Sequence, residues 1–111
     1  MTTAYADEVK RVRSLGVETV DIAEATGAGV GTVASWALAT RQPSASFRSR
    51  LLQLIALVDR LSGTMNVEYV PLWLNKPLPA LGDETPVVAL GQGRYKEVSK
   101  LVAELENDSF S

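Results

Sequence analysis

The sequence predicts an all-α fold, and three observations carry that reading. Apolar residues recur at helical spacing, most clearly at Leu51, Leu54, Ile55, Val58 and Leu61 and again at Val98, Leu101, Val102 and Leu105. No segment alternates with the period of two that a half-buried strand needs. Glycines and prolines fall between the periodic segments, where helices stop and start.

Taken in order, a first helix is expected from about Ala4 to Leu15, capped by Thr2 or Thr3. Asp7 and Glu8 lie near its start and Lys10, Arg11 and Arg13 near its end, which complements the helix dipole. Tyr5, Val9 and Val12 should face the core, and Gly16 offers a left-handed stop. A second helix covers about Thr19 to Thr26, ahead of Gly27. A third covers about Val30 to Thr40 and must end near Pro43. The fourth, about Ser46 to Leu61, carries the strongest stripe, widened by Leu52 and Leu57. That breadth predicts a central helix and a surface for self-association as a homodimer. Gly63 is a natural stop, and the chain divides there into two units, 1–63 and 64–111.

The second unit carries Pro71, Pro77, Pro79 and Pro86. Pro71 would strain a long helix, so a short one around Leu72–Asn75 is expected, with irregular chain beyond. Thr85 followed by Pro86 reads as a cap and first helical position, opening a short helix to about Leu90. The last helix is expected from about Arg94 to Glu106, with a loose tail from Asn107.

Composition narrows the function. The chain of 111 residues contains neither cysteine nor histidine. Disulfides, the usual transition-metal sites and the Ser–His and Cys–His nucleophile pairs are therefore excluded. No catalytic set, cofactor site or metal site is expected. No apolar run approaches the roughly 20 residues of a membrane helix, and the polar, acidic start does not read as a secretory signal. A cytoplasmic protein is expected. The net charge is −2, unevenly spread: residues 1–60 carry seven Lys or Arg against six Asp or Glu, residues 61–111 four against seven. A mildly basic front and an acidic back suggest two surfaces with different partners.

The stretch from Asp21 to Trp36 carries the first specific pattern. Two helices that cross closely need a small residue where they touch, and Ala23 supplies it. A tight turn needs a residue tolerant of positive φ, and Gly27 stands four positions later. Val33 and Trp36, three apart, supply the inward face of the next helix. An ordinary helical hairpin has the same packing needs, but this spacing resembles the helix-turn-helix of Xre/Cro-type regulators. Base reading favours Arg, Lys, Asn and Gln at the front of the second helix. Here that front offers Gly29, Gly31, Thr32 and Ser35, while Arg41, Gln42, Arg48 and Arg50 come later and suit phosphates. Candidate DNA contacts are Thr32, Ser35, Arg41, Gln42 and Arg48, with binding to promoter DNA weak or dependent on a complex. The alternative is a motif that only builds a fold and a dimer. The glycines at 27, 29 and 31 do not make a phosphate loop, since no strand precedes them and no Lys-Ser/Thr follows.

The second pattern runs from Trp73 to Tyr95: Trp73-Leu74, Pro77, Leu81-Gly82, Thr85-Pro86, Leu90, Gly93 and Tyr95, then Val98 and Leu101 on the last helix. Physically this is a tryptophan anchor, a proline-stiffened connector, a capped short helix and a closing helix, which by itself need be no more than a compact cap on the bundle. The order resembles the toxin-binding domain of the MbcA/ParS/Xre antitoxin family, the partners of RES-domain toxins. The resemblance spans roughly residues 17–110. It departs at Asp83, where a second glycine is common, and at Asn107-Asp108-Ser109, where a glycine is often found.

The resemblance implies an antitoxin that neutralises a cognate RES-domain, NAD-degrading toxin by covering its active-site entrance, in a complex able to repress its own promoter. Its fold would be a helix-turn-helix bundle followed by a small helical toxin-binding lobe. Carried over by position, the blocking surface comprises Arg94, Tyr95, Lys96, Ser99, Lys100, Ala103, Glu104 and Phe110, while Trp73, Leu81, Pro86 and Leu101 hold the lobe together. Acidic groups such as Glu104, Glu106 and Asp108 could pair with cations lining a pyrophosphate pocket, and Tyr95 or Phe110 could be an apolar anchor. Equally, Glu104 could be a solvated helix face and Tyr95 a core residue. A stand-alone Xre-type transcriptional repressor is the alternative function, and an enzyme the third.

Overall fold

The computed structural model describes residues 4–108. The fold is all-α: α1 (Ala4–Ser14), α2 (Thr19–Thr26), α3 (Val30–Ala37), α4 (Ala45–Ser62), α5 (Val70–Leu74), α6 (Pro86–Gly91) and α7 (Tyr95–Asp108), with short 3-10 turns at Val67–Tyr69 and Pro79–Leu81. The described residues hold one isolated antiparallel bridge, Leu78 to Glu84. Thr2 and Thr3, expected as caps of α1, and Phe110 lie outside the described residues.

The elements follow the expected order, with differences at their ends. α3 stops at Ala37, not near Thr40. Ala39 turns left-handed (φ 61), and the amides of Thr40 and Arg41 both bond back to the Ser35 carbonyl (3.0 and 3.3 Å). A left-handed residue ends a helix by itself, so Pro43 is not needed as the terminator. α5 begins at Val70, with Pro71 in its first turn, where a missing N–H costs nothing. α7 continues to Asp108, two residues past the expected end at Glu106. The cap of α6 forms as expected: the Thr85 hydroxyl accepts from the Val88 amide at 3.2 Å.

α4 is the central helix and touches α1, α2, α5, α6 and α7. Leu51, Leu54, Ile55, Leu57, Val58 and Leu61 are all buried, and only Leu52 of the wide apolar band is left outside, 48% exposed. The breadth of the stripe is therefore taken up by packing within the chain. The same continuous core joins Val9 and Val12 of α1, Ile22 and Ala25 of α2, Ala89 and Leu90 of α6 and Val98 and Val102 of α7. Residues on both sides of position 63 share it.

α2 and α6 approach closely enough to exclude a side chain. A Cβ on Gly91, the last residue of α6, would lie 2.2 Å from the carbonyl oxygen of Glu24. The Gly91 carbonyl in turn accepts a hydrogen bond from the Arg50 guanidinium, which binds the C-terminal end of α6 to α4. A second polar link joins α2 to α5. The buried Asp21 carboxylate accepts from the Glu18 amide (3.0 Å) and from the Asn75 side chain (3.1 Å), whose nitrogen also donates to the Pro71 carbonyl (3.0 Å).

Candidate functional site

The candidate surfaces are the exposed side of the α2–α3 pair with the segment that follows it, and the outer face of α7. At the first, Gly27 is left-handed (φ 82) and its amide closes α2 on Ala23 at 2.8 Å. The buried Thr26 hydroxyl donates to the Ile22 carbonyl (2.7 Å) and accepts from the Ala28 amide (3.3 Å). The turn is thus hydrogen-bonded on both sides of the glycine. Val33 and Trp36 are buried as their spacing predicts, and the Trp36 ring meets Phe47 of α4 with centroids 5.8 Å apart.

This packing decides what α3 turns outward. Gly29, Val30 and Gly31 are exposed at its front, and Val30 and Leu38 are 52% and 73% exposed. Thr32 and Ser35 are half-buried, and the Ser35 hydroxyl is spent on the Thr32 carbonyl at 2.5 Å. Arg41 and Gln42 are exposed in the connection to α4, and Arg48 is exposed in its first turn, with its guanidinium 6.0 Å from the centre of the Tyr5 ring. The Arg41 amide bonds to the Ser35 carbonyl, which brings Arg41 back to the end of α3. Arg41 therefore lies at the end of α3 and Arg48 lies over Tyr5 of α1, while the front of α3 carries no charged group.

On α7, residues three and four apart share a face. Val98 and Val102 are buried and define the inner face. Lys96, Lys100 and Glu104 are exposed on the opposite side, with half-buried Ala103 beside them. None of these three charged side chains forms an ion pair among the described residues. The other expected contact residues lie elsewhere on the helix. Tyr95 is half-buried against the core. Ser99 faces α4, where its hydroxyl accepts from Arg60 at 2.8 Å. Arg94 is held at the start of the helix by Glu97 (2.8 and 2.9 Å) and by the Leu81 carbonyl (3.4 Å). Leu81 and Pro86 are buried, while Trp73 and Leu101 are half-buried against the core.

Two ion pairs fix the ends of α7. Arg60 of α4 grips Glu106 at 2.7 Å, and this hydrogen bond with the attraction between the charges holds the Glu106 carboxyl below its ordinary pKa. Arg94 does the same for Glu97. Both carboxylates are engaged within the chain, so Glu106 is a fastening between α4 and α7. Glu104 is an exposed carboxylate on the outer face, and exposed Asp108 follows it one turn on.

No family profile, curated protein or solved structure matches the chain. Among the described residues no group of three or more Asp or Glu is arranged to hold a metal ion, and no helix is long and apolar enough to cross a membrane. Three positions that shape the surfaces escaped sequence reasoning: Gly91, Asn75 and Arg60. Each acts on a residue distant in sequence: Gly91 on Glu24 and Arg50, Asn75 on Asp21, and Arg60 on Ser99 and Glu106. A glycine as the last residue of a short apolar helix was the one local signal available.

Proposed function

We propose that this protein is the antitoxin of a RES-domain, NAD-degrading toxin, that α2 and α3 form its helix-turn-helix of the Xre/Cro type, and that the outer face of α7 is what it lays over the toxin's active-site entrance. The observation that carries the reading is the division of labour on α7. Its inner residues and its two terminal ion pairs are committed within the chain, while Lys96, Lys100 and Glu104 share one face and pair with nothing among the described residues. Charged side chains on one rigid face suit a polar, charged entrance, and they set specificity and encounter rate.

Two further features support the family reading. Asp83, at the place where the family commonly has a second glycine, is left-handed (φ 67), directly after left-handed Gly82 (φ 69). That is a conformation glycine adopts freely and aspartate tolerates better than most residues. The uncharged front of α3 favours phosphate contacts by Arg41, Gln42 and Arg48 over base reading, which suits an autoregulatory complex better than a stand-alone repressor.

The test is NAD loss catalysed by the RES-type protein encoded beside this one. The native chain should protect NAD at equal stoichiometry. The variant K96E/K100E/E104K should fold normally, because all three side chains are solvent-exposed, and should protect far less. Protection unaffected by the triple reversal would remove α7 from the blocking surface. No protection and no complex on a sizing column would remove the antitoxin role.

A further inference from the structure

A single side chain of α4 holds α7 at two separate points. The Arg60 guanidinium donates to both carboxylate oxygens of Glu106 (2.7 and 3.2 Å), to the Ser99 hydroxyl (2.8 Å) and to the Ser99 carbonyl (3.4 Å), and all of its nitrogens take part. Ser99 and Glu106 are two turns apart, so the two contacts stand about 10 Å apart along the axis yet on nearly the same line of the helix. The apolar side of α7 offers no comparable hold. It buries only Val98 and Val102, one turn apart, while Tyr95, Leu101 and Leu105 are half-buried. Apolar burial is non-directional, so two valines on one stripe let a helix roll about its axis. Directional bonds at two points oppose that roll.

The roll matters because of where the exposed charges lie. Lys96, Lys100 and Glu104 stand roughly a third of a turn around α7 from the line of Ser99 and Glu106. A roll of about 20° carries side-chain ends about 6 Å from the axis through about 2 Å. A face that must be ordered at the moment of binding loses affinity to that cost, and a face already held in place does not. We infer that Arg60 is a positioning residue of the docking face: by bridging Ser99 and Glu106 it sets the rotation of α7, and so the direction in which Lys96, Lys100 and Glu104 are presented. The inference rests on the outer face of α7 being that docking face. Lysine at position 60 would keep the charge, but an ammonium is a point charge without the planar fork that reaches both residues.

The test is the dissociation rate of the full chain from the RES-type protein encoded beside it, measured by surface plasmon resonance. Arg60→Met should speed dissociation roughly tenfold, and Arg60→Lys nearly as much. Arg11→Met is the control for lost stability. It breaks the neighbouring ion pair of α4, Arg11 to Asp59 at 2.7 Å, which ties α4 to α1, and should leave the rate within about twofold. In the background Ser99→Ala/Glu106→Ala dissociation should already be fast, and Arg60→Met should add nothing there, because Arg60 acts only through those two residues. A native complex whose dissociation ignores Arg60→Met overturns the inference alone. Full rescue by lysine overturns it too, by assigning the effect to charge. So does a further loss in the double-alanine background, which would place Arg60 against the partner itself. If the native chain forms no complex, the antitoxin reading fails and the inference falls with it.

Discussion

Replacing Gly91 by alanine should destabilise the protein, although alanine is the better helix former. The added Cβ would stand 2.2 Å from the Glu24 carbonyl oxygen and 3.4 Å from its carbon. Carbon and carbonyl oxygen approach to roughly 3.3 Å even in close C–H···O contacts, so the two helices must separate by about 1 Å. The obstacle is backbone on α2, which cannot swing aside as a side chain would. A gap of that size forfeits a quarter to a half of the dispersion energy of the atoms lining it, here those around Val87 and Leu90, both buried. It also draws the Gly91 carbonyl away from Arg50. Overpacking of this kind costs about 1–3 kcal/mol, and the loss of the Arg50 bond adds about 1 kcal/mol. Helix propensity returns up to about 1 kcal/mol. The net expectation is a loss of about 2 kcal/mol by urea denaturation, or roughly 10 °C in Tm. Gly31→Ala is the control. Gly31 is exposed near the start of α3, where an added Cβ would have nothing within 4 Å, and the substitution should stabilise the protein by up to about 1 kcal/mol. If Gly91→Ala matches the native chain, or the two substitutions shift stability in the same direction, the close approach of α6 to α2 is not what requires glycine at 91.

The remaining predictions concern single polar or strained positions. Because Arg60 holds Glu106 below its ordinary pKa, the folded state gains stability from this pair above the unfolded pKa of about 4.3 and loses it as pH falls through the lower folded value. Glu106→Gln should therefore flatten the fall in denaturation midpoint between about pH 5 and 3, and a slope equal to that of the native chain would contradict the linkage. Asp83→Gly should stay within about 0.5 kcal/mol of the native chain, since relief of the left-handed backbone offsets the greater freedom of unfolded glycine, whereas Asp83→Val should cost about 1–2 kcal/mol, both read by urea denaturation. If the protein contacts DNA through phosphates, Arg41→Ala and Arg48→Ala should each reduce the slope of log affinity against log salt by roughly one, while Thr32→Ala should leave it unchanged, as measured by fluorescence anisotropy across a salt series.

The sequence alone determined the helices and their order, because the signals for them are local. Apolar spacing marked the inner faces of α4 and α7, Gly27 marked a left-handed turn, and Thr85-Pro86 marked the start of α6. Each needs only neighbouring residues to act. The missing cysteines and histidines likewise closed off whole classes of chemistry without any fold. What the tertiary structure decided is how faces are shared. The width of the α4 stripe could serve several helices of one chain or a second copy, and only packing shows that Leu51, Leu54, Ile55, Leu57, Val58 and Leu61 are all buried within one chain. The expected contact residues in and just before α7 are close in sequence, yet Ser99 and Arg94 are bound within the chain while Lys96, Lys100 and Glu104 are exposed on the outer face with no ion pair among the described residues. Gly91, Arg60 and the Asp21–Asn75 link have the same origin: each depends on a partner brought close by other elements. Propensity and periodicity report a residue's neighbours along the chain, whereas the surface left to a partner is whatever burial and long-range hydrogen bonds have not already taken.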